Sequence, residues 1–104
     1  MDLEKFKEKL AKYGERDIVF TSHAEIRALF RDMDLDEIRM NILKPKKLVK
    51  VINDGNKGKY GCYFAYSKTH CHKYVLVLNS KVIIVTVINI NRDWQRMLKW
   101  KNLI

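Results

Sequence analysis

Apolar residues recur at three- and four-residue steps through the first part of the chain, then in alternation or unbroken runs through the second. Leu3, Phe6, Leu10 and Tyr13, separated by Lys and Glu, predict an amphipathic helix over residues 2–13 ended by Gly14. The stretch DIVF, Asp17 to Phe20, reads as a short strand or an extended entry. Ser22 followed three residues later by Glu25 has the form of a capping box and opens a second helix. Its expected buried stripe is Ile26, Leu29, Phe30 and Met33. Asp34 and Glu37 repeat the capping spacing before a third, short helix through Ile38, Ile42 and Leu43, which must stop before Pro45.

The rest is strand-like. KLVKVIN (47–53) runs into the turn NDGNKG, KYGCYFAY (59–66) into the loop SKTHCH, and KYVLVLN (73–79) into a turn before the apolar run 82–90. Asn91 is placed to cap a last helix over 92–103. Helices followed by short-looped strands predict one α+β domain over residues 1–104. Its N-terminal helices should pack on one face of a roughly four-stranded antiparallel sheet, with 82–90 as the central strand and a C-terminal helix.

Composition narrows the class. The 104 residues are 47% hydrophobic and 32% charged, a globular balance without low-complexity segments. The longest apolar run, VIIVTVINI, falls short of the roughly 18 residues that span a bilayer, and the N-terminus MDLEKFKEKL is charged throughout. A cytoplasmic protein with no membrane association is expected. Cys62 and Cys71 are too few for a disulfide framework. His70, Cys71 and His72 lack a second pair of ligands, so neither metal nor other cofactor is expected. Twenty-one Lys and Arg against twelve Asp and Glu leave a net charge of +9, which favours a polyanion, and RNA is the expected partner.

The candidate chemistry begins in FTSHAEIRALFR. At 100° per residue, His23, Arg27 and Arg31 stand at about 0°, 40° and 80° on the second helix, a ridge bordering its apolar stripe. With Ser22 as cap, His23 is in the first turn, beside unpaired backbone N–H groups, a place that suits both a general base and a phosphate. On spacing alone the trio is equally a solvated flank, with Arg31 paired to Asp34.

FTSHAEIRALFRDMDLDEI together with the later VIIVTVI resembles a family of small prokaryotic domains. Its pattern is a strand ending in Thr-x-His-Ala, an Arg four residues after the His, another Arg one turn on, an acidic-capped helix, and a late strand ending in a Thr among aliphatics. The family is grouped with the barnase, EndoU, colicin and RelE-like toxins, metal-independent ribonucleases of α+β fold. The resemblance covers about residues 18–90 and makes 17–90 a toxin-like core. It implies Thr21, His23, Arg27, Arg31 and Thr86 as site residues. Two departures stand out. The family's Arg-Gly-hydrophobic corner is replaced by Arg31 followed by DMDL, and helices are added at both ends.

RNA cleavage without metal needs a base for the 2′-hydroxyl, a cation for the charge building on phosphorus oxygens and an acid for the 5′-oxygen. His23 fits the base, and Arg27 with Arg31 the charge stabilisers. The acid is open among His70, His72, Tyr63 and Tyr66. Lys46, Lys47, Lys50, Lys57 and Lys59, interleaved with tyrosines, and Arg92 with Arg96 are candidate RNA contacts. Trp94 and Trp100, six positions apart, are expected to divide between core and a contact surface for RNA, a small acidic antitoxin or a second copy, as in a homodimer. The competing class is a non-catalytic RNA- or DNA-binding or regulatory module that uses the same basic face.

Overall fold

A computed structural model describes residues 2–55 and 58–99, with side chains to residue 96. The first helix, α1 (Leu3–Ala11), starts where Asp2 accepts from the Glu4 and Lys5 amides, and it buries Phe6 and Leu10. A single 3-10 turn, Glu15–Asp17, leads into β1 (Ile18–Phe20). Next come α2 (Ser22–Phe30), α3 (Leu35–Leu43), β2 (Leu48–Asn53), β3 (Lys59–Ser67), β4 (His70–Leu78), β5 (Val82–Ile90) and α4 (Trp94–Lys99).

The class is α+β as expected, but the sheet has five strands in the order β1-β5-β4-β3-β2 and is mixed. The segment 17–20 is a strand in its own right: β1 pairs parallel with β5, Ile18 opposite Val82 and Phe20 opposite Ile84. The other pairings are antiparallel. β4 therefore holds the centre, and β5, expected there, lies between β4 and the short β1. A three-residue strand whose partner lies more than sixty residues away leaves no local pattern to read.

One face of the sheet carries Tyr60, Cys62, Phe64, Tyr74, Leu76, Val82, Ile84 and Val87 against Phe6, Leu10, Ala24, Ala28, Met33, Ile38 and Ile42. On the other face a smaller cluster gathers Tyr63, Cys71 and Trp94. Asp93, rather than Asn91, accepts from the Arg96 amide at the start of α4. The expected helix over 92–103 is described only as far as Lys99, and Trp100 and Lys57 lie outside the described residues.

α2 departs most from expectation. Ala24 and Ala28 face the core at 0% and 1% exposure, whereas Ile26, Leu29 and Phe30 are 52%, 77% and 79% exposed. Of the expected stripe only Met33, beyond the helix, is buried. The reason lies at the cap. Thr21, not Ser22, is the N-cap, accepting from the Ala24 amide (3.1 Å) while its own hydroxyl donates to the Val85 carbonyl (3.0 Å) and its amide donates to the Ile84 carbonyl (3.1 Å). Fastened to β5 at that residue, the helix must present positions 24, 28 and 31 to the sheet, and two alanines allow its backbone to approach closely.

The far end of α2 is equally defined. The Met33 amide donates to the Ala28 carbonyl (2.9 Å) with Asp32 in the left-handed region at φ 50°, a Schellman closure that turns Met33 inward. The corner after α2 is thus built from Arg31, Asp32 and Met33. Among the described residues no helix is long and apolar enough to cross a membrane.

Candidate active site

β4 begins at His70 rather than residue 73, so the HCH triplet is strand and not loop. Alternation then sends His70 and His72 to the helix-covered face and Cys71 to the other, which separates the three potential ligands. Among the described residues no three or more His, Cys, Asp or Glu side chains are grouped as a metal site. Burial pushes both thiols up, Cys71 to about 11 and Cys62 further.

At the end of β3 the register shifts between Ala65 and Ser67, and the residue between them, Tyr66, joins the two histidines. Its ring lies 5.0 Å from that of His70 and 4.6 Å from that of His72, and the two imidazoles are 5.4 Å apart. The Lys47 ammonium sits 5.2 Å from the centre of the Tyr66 ring. A patch of rings with one cation over it closes this end of the sheet.

α3 supplies the hub. Asn41, 6% exposed, donates from Nδ2 to the hydroxyls of both Tyr66 and Tyr74, each at 2.8 Å. With both amide protons used, the direction of every further bond follows. The Tyr66 hydroxyl donates to Glu37 Oε2 (2.5 Å), and the Tyr74 hydroxyl donates to His72 Nδ1 (2.7 Å). Burial, helped by the bond to Glu37, holds the Tyr66 phenol protonated to about 12, and burial raises Tyr74 further still. Burial lowers His72 below its ordinary 6.5, against the opposing pull of Glu37, so this 3%-exposed imidazole is neutral and accepts from Tyr74.

His70 is the half-buried, reachable member of the pair. Its Nε2 faces Asn89 Oδ1 at 2.9 Å, and Asn89 is turned that way because its Nδ2 donates to the Arg31 carbonyl (3.3 Å). In neutral His70 the proton therefore belongs on Nε2, leaving Nδ1 with the lone pair. Arg31 meets this pair through its backbone carbonyl, and its Nη1 donates to the Val87 carbonyl on β5 (2.6 Å).

The sequence candidates divide accordingly. His70, His72 and Tyr66 come together, and the Arg31 backbone is joined to them through Asn89. Arg27 and His23 do not join them: both are exposed on α2, and His23 lies two turns, about 12 Å along the axis, from Arg31. Thr21 is the cap described above. Thr86 pairs with Val75 and alternates with the core residue Val87, so it points to the opposite face and cannot meet α2. Tyr63 is buried in that same opposite cluster, with the Lys73 ammonium 5.3 Å from its ring centre.

The candidate RNA contacts are dispersed. Lys47 covers Tyr66, Lys50 pairs in register with Tyr63 and shares its face, and Lys59 is bound to Asp54 at 3.5 Å. Lys46 edges a 420 Å³ groove between α1 and the α3–β2 connection. Arg92 and Arg96 are exposed near the start of α4.

Sequence reading passed over Asn41, Tyr74 and Asn89, and gave Glu37 a capping place whereas it accepts from the Tyr66 hydroxyl. One signal was present: Asn41 interrupts an apolar stripe between Ile38 and Ile42, and a polar residue there must be satisfied from another element. Comparison of the chain with protein-family models, with curated proteins and with solved structures found no match in any of the three.

Proposed function

We propose that the protein is a metal-independent ribonuclease of toxin type, acting on RNA in the cytoplasm, with its working groups at the end of β3 and the start of β4. The observation that supports the reading is His70 held in one tautomer by Asn89, which also binds the Arg31 backbone carbonyl, next to a Tyr66 ring that carries the Lys47 ammonium. In this reading His70 Nδ1 takes the proton of the 2′-hydroxyl. Arg31 and Lys47 offset charge on the phosphorane oxygens. As the P–O5′ bond breaks, the departing 5′-oxygen takes its proton from the Tyr66 phenol, which the proton taken up by His70 then restores. The base thus moves from His23, the first choice on spacing, to His70.

The test is cleavage of single-stranded RNA by the purified chain in the presence of chelator. Products with 2′,3′-cyclic phosphate ends, lost at least 100-fold in His70→Ala and in Arg31→Met but retained in His23→Ala, support the reading. Salt-sensitive RNA binding with no cleavage, unchanged in His70→Ala, would instead favour the non-catalytic RNA- or DNA-binding module. The net charge of +9 is what supports that second reading.

A further inference from the structure

One buried group has no part in the reading above: His72, the second imidazole of β4. Asn41 uses both amide protons on the hydroxyls of Tyr66 and Tyr74, so the Tyr74 proton goes to His72 Nδ1 and the imidazole keeps its own proton on Nε2. That Nε2–H has no hydrogen-bond partner among the described residues. Every solvent-sealed side-chain nitrogen or oxygen among them has a partner, so the small surface that leaves His72 3% exposed includes Nε2. An unanswered donor on so deeply set a ring marks a place for a ligand. Nε2 lies on the side of the ring remote from Nδ1 and hence from the Tyr74 hydroxyl. The other ring neighbours of His72 are Tyr66 at 4.6 Å and His70 at 5.4 Å.

The two imidazoles therefore offer opposite halves of a hydrogen bond, side by side on one strand face: a lone pair at His70 Nδ1 and a proton at His72 Nε2. A simple anion satisfies only the second, and a cation only the first. A hydroxyl next to an oxyanion satisfies both, and the Lys47 ammonium over the Tyr66 ring favours the negative charge. In a ribonucleotide the 2′-hydroxyl and the 3′-phosphate hang from neighbouring ribose carbons, within the span of two rings 5.4 Å apart. We propose that His72 Nε2–H donates to a non-bridging oxygen of the 3′-phosphate while the adjacent 2′-hydroxyl donates to His70 Nδ1, so that the pair admits ribose and discriminates against 2′-deoxyribose. The assignment rests on the ribose position given to His70 above, and not on turnover. His72 is no general acid in this arrangement. Tyr74 holds its Nδ1, so the neutral ring gives the phosphate a hydrogen bond without giving up its proton, and it fixes the phosphorus relative to the base.

The probes are uridine 3′-monophosphate, its 2′-deoxy counterpart and inorganic phosphate, none of which offers a phosphodiester to cleave, each titrated to about 10 mM into the full chain. In the unsubstituted chain the His72 Nε2–H resonance should move downfield as the ribonucleotide binds, a readout that needs no variant. The ribonucleotide should bind about 10-fold more tightly than the deoxynucleotide, which leaves His70 Nδ1 without its donor. His72→Asn keeps an acceptor where Nδ1 stood and has no donor in place of Nε2, whereas His72→Gln keeps the donor and loses the acceptor. Ribonucleotide affinity should fall about 10-fold in His72→Asn and stay within about threefold in His72→Gln. A merely structural role would make affinity follow stability instead, falling in whichever variant denatures more easily in urea. An unmoved Nε2–H resonance, equal affinity for the two nucleotides, or inorganic phosphate bound as tightly as the ribonucleotide would overturn the proposal. If RNA is cleaved in a His70-dependent way while those results are negative, the ribonuclease reading stands and the His72 contact falls. The resonance shift and the ribose preference without any cleavage would do the reverse.

Discussion

Asn89 holds His70 in register with the end of α2: its Oδ1 lies 2.9 Å from the imidazole Nε2 while its Nδ2 reaches the Arg31 carbonyl at 3.3 Å. Asn89→Leu removes the acceptor that fixes the His70 proton and the donor that orients the amide. If the chain is the ribonuclease proposed above, its RNA cleavage should fall by about tenfold, the equivalent of one hydrogen bond of about 1.4 kcal/mol, with RNA affinity within twofold of the parent chain. Single-turnover kinetics alongside filter binding separate the two quantities. Equal losses in both would assign Asn89 to binding.

The alanine face of α2 makes a prediction about stability that runs against the apolar pattern. Phe30→Ala should cost less than about 0.5 kcal/mol because the ring is 79% exposed. Ala28→Leu, which adds bulk where the helix meets β5, should cost about 1–3 kcal/mol. Urea denaturation of both variants reads the difference. Were Phe30 a core residue, its truncation would instead cost about 3–5 kcal/mol.

The cap position is as easily separated. Thr21→Val removes both the acceptor for the Ala24 amide and the donor to the Val85 carbonyl, and should lower stability by about 2 kcal/mol. Ser22→Ala, one residue on, should change it by less than about 0.5 kcal/mol. Chemical denaturation curves for the pair would show whether the helix hangs from Thr21.

Asp32 offers a test in the opposite direction. At φ 50° it occupies a conformation that costs a non-glycine residue about 1–2 kcal/mol. Asp32→Gly should raise the melting temperature slightly, and Asp32→Ile, β-branched, should lower it by several degrees. Identical melting of both would mean that the turn is not held in this form.

Stability should depend on pH at both ends through the Asn41 network. His72 has a folded-state pKa below its ordinary 6.5, so its neutral form is favoured by folding. That contribution is complete above 6.5 and is lost as pH falls through the lower folded value. Tyr66 is raised from 10.0 to about 12, so its contribution is complete below 10 and is lost between 10 and about 12. His72→Phe should flatten the acid limb of a stability–pH profile, and Tyr66→Phe the alkaline limb.

Much of the architecture was legible locally. α1, α3 and the three antiparallel pairings carry their own caps, periodicities and turns, so the described elements were readable within a residue or two, except for the start of β4. The parallel β1–β5 pairing was not, because a short strand and a distant partner share no local signal. The burial of α2 was misread for a related reason. Periodicity names an apolar face, but which face meets the sheet depends on where the chain is fastened, and Thr21 fastens it one residue earlier than the capping-box spacing suggests.

The candidate site shows the same division. His70, His72, Tyr66 and Arg31 were identifiable as residue types capable of the chemistry, and the excess of positive charge as a reason to look for phosphate. Which of them meet was decided by strand alternation, the register shift at Tyr66 and the seating of α2. Sequence alone determined the inventory, the fold class and the sign of the electrostatic field, since these follow from composition and local spacing. Tertiary structure alone decided that Thr86 faces away, that His23 stands apart and that Asn41 links two tyrosines, because sidedness and contact depend on pairings between residues far apart in the chain.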